Sequence, residues 1–457
     1  MGKALWLLWA LALARVYVYA PEYLRKEVGT WNYFAEIPSS LANFGNPPYG
    51  SSVIGRLFQP IYGERSGCFP ISPFNYNDLD QVVSSILLVE GGDCAFAQKV
   101  KYAQDIGFSA VLISDPREEE PADDIIMTYN ETAGYIAIPS FLIGATYGKW
   151  LRTALRNEEN AGGVLLTLTF YINQKSGNVN YQIWTSAGLD MMSGFLTEFA
   201  PYARKLEQYT EITPHYVLWH CFECSRAGYT YQHPDCVSSG RYCAPDPDGP
   251  GPLTGRQVVL EDLRQICIYR SEPEKWWDYI QSMNKTCPTS KLHSNCYERA
   301  LEESNIDEEM IATCMSDSFI LSGNIASDNE LLRSEQQTLI EAKLPFFPAI
   351  VVNDQEMRGN IETFVVLQAI CAGFIAAPSI CADLLEDRKP SEPTVETGGM
   401  NIATAIAIAC VAVLLLVAVL VLYRVWLSKK RGSELKQQRS QGVEPYFELA
   451  DTSRNEG

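Results

Sequence analysis

Apolar and polar positions follow three patterns along this chain. In the first, short apolar runs are bounded by glycine or polar residues. Val53–Phe58, Ser84–Val89, Ala110–Ser114, Ile138–Ile143 and Val164–Ile172 have this form and predict strands. In the second, apolar residues recur at helical spacing. Phe96, Val100 and Ala103 stand at i, i+4 and i+7 and predict a helix over Cys94–Ile106, stopped at Gly107. Ala145–Asn157 reads as another helix. Strands and helices interleaved in this way predict a mixed α/β (α+β) domain over residues 22–173.

A second region, residues 178–385, repeats the two patterns in another order. Val179–Trp184 predicts a strand. Met191–Glu207 predicts a helix with Leu196, Phe199, Ala203 and Leu206 on one face and a kink at Pro201. Thr213–Trp219 predicts a second strand, on which His215 and His220 face opposite sides. A Cys-rich, helix-forming insert covers about 221–340, and Pro348 leads a strand ending at Asn353. Met357–Gly359 and a helix over Ile361–Phe374 close the region. Strand, helix, strand, insert, Pro-led strand and terminal helix is the order of a thioredoxin-like fold, which by analogy places a cis peptide before Pro348.

The third pattern is one long apolar run without a charge, Ile402–Tyr423. About 20 apolar residues cross the hydrocarbon core as a helix, and this run has that length. Arg424, Lys429, Lys430 and Arg431 follow it, so the basic side is cytosolic and the bulk of the chain is lumenal. The N-terminus agrees: Lys3 and the apolar stretch Leu5–Ala14 form a signal peptide within residues 1–20. Ala12-Leu13-Ala14 and Val18-Tyr19-Ala20 both remain open as cleavage sites. Residues 386–401 are a linker and 424–457 a cytosolic tail. Ala405 and Ala409 form a small-xxx-small pair, a hint of a homodimer.

The net charge of −19 argues against nucleic acid or an anionic membrane surface as partner and is compatible with a basic peptide ligand. All but one of the 13 Cys precede the apolar run, the exception being Cys410 within it. An even set in a secretory setting predicts disulfides among Cys68, Cys94, Cys221, Cys224, Cys236, Cys243, Cys267, Cys287, Cys296, Cys314, Cys371 and Cys381. Cys68–Cys94 is the first pair expected. Cys221-Phe222-Glu223-Cys224 has the spacing of a redox pair or half a zinc site. Redox pairs sit at the start of the first helix, but Thr185–Asp190 holds no Cys, and zinc needs free thiolates. No metal, cofactor or catalytic residue is therefore expected. The four His, His215, His220, His233 and His293, form no His-Glu-x-x-His, and no Gly-x-Ser-x-Gly occurs. Asn130 and Asn284 open glycosylation sequons.

Particular stretches then point to a family. Leu87-Leu88-Val89, Gly92-Asp93-Cys94-Ala95-Phe96 and Ser109–Ile113 resemble a protease-associated domain. Ile37–Gly45 with Pro48-Tyr49-Gly50 resembles the start of plant-type vacuolar sorting receptors. So do Thr213–Tyr216, Gly240–Pro247, Leu263–Cys267, Trp276–Tyr279, Val351–Asn353 and Arg358-Gly359, and the resemblance covers most of 35–382. It implies a cargo receptor that binds sorting peptides of soluble proteins through Asn43, Phe44, Gly45 and the loop Glu90, Gly91, Gly92, Asp93, with the acidic Glu118–Asp124 loop as a further attraction for basic cargo. It also implies that Tyr446-Phe447-Glu448-Leu449 recruits a clathrin adaptor, with Tyr446 and Leu449 in separate pockets. Cargo would travel from the Golgi to a vacuole or endosome and leave at low pH. The chain departs from the family pattern twice. Epidermal-growth-factor-like repeats are missing before the span, and Gly91 stands where the family has an Arg. A secretory-pathway thiol oxidoreductase is the alternative. A membrane ubiquitin ligase is excluded, because no Cys or His follows Tyr423.

Overall fold

The computed structural model describes residues 14–29, 34–60, 64–69, 84–117, 125–129, 133–157, 163–226, 233–287, 296–386 and 423–424. The start of the leader, the Glu118–Asp124 loop, Asn130, His293, nearly all of the linker, the run up to residue 422 and the tail with Tyr446 and Leu449 lie outside them. Among the described residues no helix is long and apolar enough to cross a membrane. The described residues up to Glu386 pack as one compact unit.

The first domain contains β1 (Arg15–Ala20), α1 (Glu22–Gly29), β2 (Glu36–Ile37), β3 (Ser39–Leu41), β4 (Ser52–Phe58), β5 (Ser84–Glu90), α2 (Phe96–Asp105), β6 (Ala110–Ser114), β7 (Ser140–Ile143), α3 (Ala145–Asn157) and β8 (Leu165–Thr169). Its sheet has the order β2-β1-β8-β4-β5-β6-β7-β3. The strands β4 to β7 run parallel, which is why β5 and β6 read as unbroken apolar runs: helices cover both faces. The sheet begins earlier than residue 22. Val16 and Val18 are buried on one face of β1, which pairs with β2 and β8, so the Tyr-Val alternation read as the end of a leader is a strand. Cleavage after Ala20 would remove β1 from the sheet; cleavage after Ala14 would leave it whole.

The second domain contains β9 (Val179–Thr185), α4 (Asp190–Leu206), β10 (Thr210–Tyr216), α5 (Phe222–Arg226), β11 (Cys236–Val237), β12 (Tyr242–Cys243), α6 (Gly255–Ser271), α7 (Trp276–Thr286), α8 (Cys296–Glu303), α9 (Glu308–Asp317), α10 (Glu330–Ala342), β13 (Ala349–Val352), β14 (Gln355–Glu356), α11 (Thr363–Ala372) and α12 (Ser379–Glu386). The sheet order is β10-β9-β13-β14, with β10 parallel to β9 and β13 antiparallel to it. This is the expected thioredoxin-like order with its helical insert, and the peptide before Pro348 is cis. The helix α4 runs on through Pro201 and buries Leu196, Phe199, Ala203 and Leu206 as read from the sequence.

One strand is corrected. The strand expected over Thr213–Trp219 is β10, which starts at Thr210 and ends at Tyr216, in register with Val179–Thr185. Pro214 is tolerated there because β10 is an edge strand. Trp219 leaves to pair with Cys243 instead. His215 and His220 therefore do not share a strand. His215 stacks on Trp184 at 4.2 Å and lies 2.8 Å from Glu335, whereas His220 stacks on Phe222.

Hydrogen bonds tie the insert to the sheet. Trp276 donates to the Tyr216 hydroxyl (3.2 Å), which donates to Gln265 (2.9 Å). Gln265 and Tyr279 then both donate to Glu261 (3.0 and 2.8 Å). Beside this chain, Asp262 on α6 accepts the Ala187 amide (2.7 Å) and the Ser186 hydroxyl (3.3 Å). The loop between β9 and α4, where a redox pair would stand in this fold, is thus covered by α6. Burial pushes the Asp262 carboxyl well above the usual range, against the Ala187 hydrogen bond.

The two domains meet at Asn360. Its amide nitrogen donates to the Asn46 side chain and to the Ile136 carbonyl, both at 2.8 Å. Its side-chain oxygen accepts the Gly45 amide (3.2 Å), and its own amide donates to the Gly45 carbonyl (2.7 Å). Tyr49 adds a second clasp, donating to the Arg358 carbonyl (2.9 Å) and accepting the Arg358 amide (2.8 Å). Buried apolar residues of both domains, Phe170 and Ile172 with Ile350 and Met357 among them, form one continuous core.

Two outcomes follow from these contacts. Asn360→Ala strands three partner groups and should cost about 2 kcal/mol, read as a lower urea midpoint. For Asp262, a raised folded-state pKa means that the folded chain holds the proton more tightly. Its stability is fully present below the unfolded value and falls as pH rises toward the folded one. Asp262→Asn should therefore melt above wild type at about pH 7, with the gap closing near about pH 4.

Candidate ligand-binding cleft

A cleft of about 400 Å³ opens beside the Asn360 seam and takes residues from both domains. The first domain contributes Asn43, Tyr129, Tyr135 and Ile136. The second contributes Met191 in the first turn of α4, the Phe347-Pro348-Ala349-Ile350 segment with its cis peptide, and Glu356–Met357 with Gly359–Glu362. Large apolar side chains remain open to solvent along its walls: Met191 at 61%, Tyr135 at 58%, Tyr129 at 44% and Phe347 at 38% exposure. An apolar, preformed concavity at a domain junction, with a few polar groups, is the usual form of a ligand site.

The polar groups are fixed. Glu362 accepts from the Tyr135 hydroxyl and the Asn46 amide, both at 3.2 Å. Glu356 pairs with Arg358 at 3.0 Å, both nearly buried. Burial raises the Glu356 carboxyl and lowers the Arg358 guanidinium, each opposed by the partner's charge. Among the described residues, Arg358 Nη1 has no hydrogen-bond partner. These groups place two carboxylates beside an apolar wall. Among the described residues the lining contains no Ser, Cys, His or Lys.

The residues expected to bind ligand are not brought together. Asn43 lines the cleft. Phe44 is fully buried, which removes it as a ligand contact. Gly45 holds a structural position. It has φ +82°, and a Cβ there would stand 2.3 Å from the Ile138 carbonyl oxygen. The loop Glu90, Gly91, Gly92, Asp93 lies at the other end of the sheet. Glu90 aligns with Ser114 and Ile143 at the carboxyl ends of β5, β6 and β7, whereas Asn43 follows β3 past the amino end of β7. The separation is some five residues along the strands, roughly 16 Å. The sequence marked both segments as glycine-bearing loops, but only the sheet topology separates them.

That second loop is itself well built. Lys99 on α2 is buried and donates to the carbonyls of Ser66 (2.5 Å) and Gly92 (2.6 Å). It thereby fixes both sides of the Cys68–Cys94 disulfide. Burial lowers the Lys99 pKa against the pull of Asp93 and Glu90. Gly91 donates to the Ser114 carbonyl (2.8 Å), and a Cβ there would meet Pro116 at 3.0 Å. Next to Gly91, Glu90 has two cationic neighbours, Arg152 and Arg65, at 3.5 and 3.9 Å.

The described cysteines form six disulfides: Cys68–Cys94, Cys221–Cys224, Cys236–Cys243, Cys267–Cys314, Cys287–Cys296 and Cys371–Cys381. The Cys221–Cys224 pair follows β10 rather than β9. Asn284 sits near the end of α7, and its amide donates to the Ser193 carbonyl (3.0 Å) and the Thr197 hydroxyl (2.9 Å). A glycan on that nitrogen would replace one of its two hydrogens and so displace at least one of these bonds.

Comparison with known proteins agrees with this architecture. Residues 179–371 match the vacuolar sorting receptor thioredoxin-like domain, and residues 53–151 match the PA domain. Vacuolar-sorting receptor 1 of Pisum sativum is 33% identical over 400 residues, 79% of this chain and 60% of that protein. Vacuolar-sorting receptor 4 of Arabidopsis thaliana is 32% identical over 402 residues, with the same coverage. A human E3 ubiquitin-protein ligase, ZNRF4, is 30% identical over 136 residues, 29% of each chain. The chain thus spans about 60% of the length of the plant receptors it matches. Residues 179–371 thus carry the thioredoxin-like domain of vacuolar sorting receptors behind a PA domain at residues 53–151, and the chain is similar to those receptors across both.

Proposed function

We propose that this protein is a cargo receptor of the secretory pathway that reads an extended segment of soluble proteins in the interdomain cleft. The cleft itself carries the reading. Its exposed Met191, Tyr135, Tyr129 and Phe347 offer side-chain pockets, and Glu356 and Glu362 offer acceptors for a polar or cationic group. The relatives are named as sorting receptors, which favours binding over catalysis. Coverage of the β9–α4 loop by Asp262 counts against the thiol oxidoreductase alternative. In this reading Ile402–Tyr423 spans the membrane once, with the receptor domains lumenal and Tyr446 and Leu449 presented to a clathrin adaptor. The route runs from the Golgi to an endosomal or vacuolar compartment. The Glu90–Asp93 loop is a second, separate contact surface for the same cargo.

The test compares cleft and loop. The full-length chain is immobilised and the captured secretory proteins are quantified for wild type, Met191→Asp, Tyr135→Ala and Gly91→Arg. Loss of capture by about tenfold, or ~1.4 kcal/mol, is expected for the two cleft variants, with a smaller change for the loop variant. Full capture by both cleft variants would move the site to the loop. Absence of any captured cargo from wild type would end the receptor reading.

A further inference from the structure

The cysteines and histidine between residues 221 and 243 take no part in the cleft, and Cys224, Cys236 and Cys243 are buried. Cys221 precedes α5 and Cys224 lies on it, while Cys236 and Cys243 face each other across the β11–β12 hairpin. The two disulfides adjoin. The sulfurs of Cys224 and Cys236 and a ring nitrogen of His233 all lie within 4.8 Å of one another. Ligands on one zinc ion, at Zn–S bonds of about 2.3 Å, stand roughly 3.8 Å apart. A closure of about 1 Å would bring these atoms to that spacing. In the chain the residues read Cys-x-x-Cys then His-x-x-Cys, two close pairs of the kind that chelate one ion.

The frame around them does not depend on the sulfur bonds. Trp219 and Cys243 exchange backbone hydrogen bonds at 3.0 and 2.9 Å, and the Cys221 amide donates to the Gly240 carbonyl at 2.9 Å. Arg256 on α6 donates to the carbonyls of Cys236 (2.9 Å) and His233 (2.6 Å). Asp235 accepts the Gly255 amide (3.0 Å), and its own amide donates to His233 Nδ1 (3.2 Å), which holds the ring in place. Leu218, Val237, Tyr242 and Leu253 pack beneath as a local apolar cluster. The disulfides also close short loops, with separations of 3 and 7 residues against 47 for Cys267–Cys314. Short loops remove the least freedom from the unfolded chain, so these two bonds are the ones the fold needs least.

We propose that this cluster is a redox-gated zinc site, held by Cys221, Cys224, His233 and Cys236 once its disulfides are reduced. This departs from the sequence expectation of no metal, which rested on zinc needing free thiolates in an oxidising compartment. Each disulfide takes two electrons and two protons from an external dithiol, which becomes a disulfide. Zinc then displaces the thiol protons of Cys221, Cys224 and Cys236, His233 binds as the neutral ring, and Cys243 remains a thiol.

The test uses the full-length chain in detergent, reduced without denaturant by a water-soluble phosphine. Alkylation and mass mapping should label Cys221, Cys224, Cys236 and Cys243 before Cys267 and Cys314. Added Co²⁺ should give the thiolate charge-transfer and tetrahedral d–d bands, which one equivalent of Zn²⁺ abolishes. His233→Ala should keep the reduction order but weaken zinc binding by at least about tenfold. The Cys243→Ser variant should bind zinc after reduction of Cys221–Cys224 alone. The proposal is overturned if the two disulfides reduce no sooner than Cys267–Cys314. It is equally overturned if the reduced chain gives no tetrahedral cobalt spectrum, or if His233→Ala binds zinc as tightly as wild type.

Discussion

The contact on which the arrangement depends is the clasp of Asn360 on Gly45, Asn46 and Ile136. It couples a residue near the end of the second domain to a turn near the start of the first, 315 positions away in sequence for the Gly45 bond. A side-chain amide suits this place because it has two donor hydrogens and an acceptor, and all are used. The clasp leaves no room for side chains at the two glycines involved. A Cβ on Gly359 would stand 2.5 Å from the Pro47 ring and 2.6 Å from the Gly45 carbonyl oxygen. The cleft exists because the two backbones approach this closely on one side and diverge on the other.

A second polar system does the corresponding work within the thioredoxin-like domain. The chain from Trp276 through Tyr216 and Gln265 to Glu261 and Tyr279 fastens the helical insert to β10. Each member satisfies the next, so these buried groups escape the cost of unpaired burial. Arg264, lying 3.5 Å over the Tyr297 ring, completes the charge balance at Glu261 through an ion pair. The insert that covers the redox position of this fold is therefore held by polar contacts as well as by the core.

Much of this was legible in the sequence. Buried strands such as Ser84–Glu90 and Ala110–Ser114 announced themselves as apolar runs, and α4 showed its buried face through Leu196, Phe199, Ala203 and Leu206. Arg15–Ala20 was misread because a Val-Tyr alternation next to an apolar leader looks like part of it; only pairing with Leu165–Thr169 reveals a strand. Of the cleft lining, the sequence marks Asn43; Met191, Phe347 and Tyr135 carry no local signal, since an exposed apolar residue becomes informative only beside others brought to it by the fold. The separation of Asn43 from Glu90 was hidden for the same reason: strand direction is a property of the sheet.

The close approach of Gly45 and Gly359 has an energetic consequence for anything that enters the cleft. Since the walls belong to domains locked together by a shared core, neither has to be ordered when a ligand arrives. The ligand alone gives up conformational freedom, which for an extended peptide is about 1–2 kcal/mol per fixed residue. Affinity is then set by how few residues the ligand must immobilise to reach the apolar walls, so a short anchored segment has the advantage over a long one.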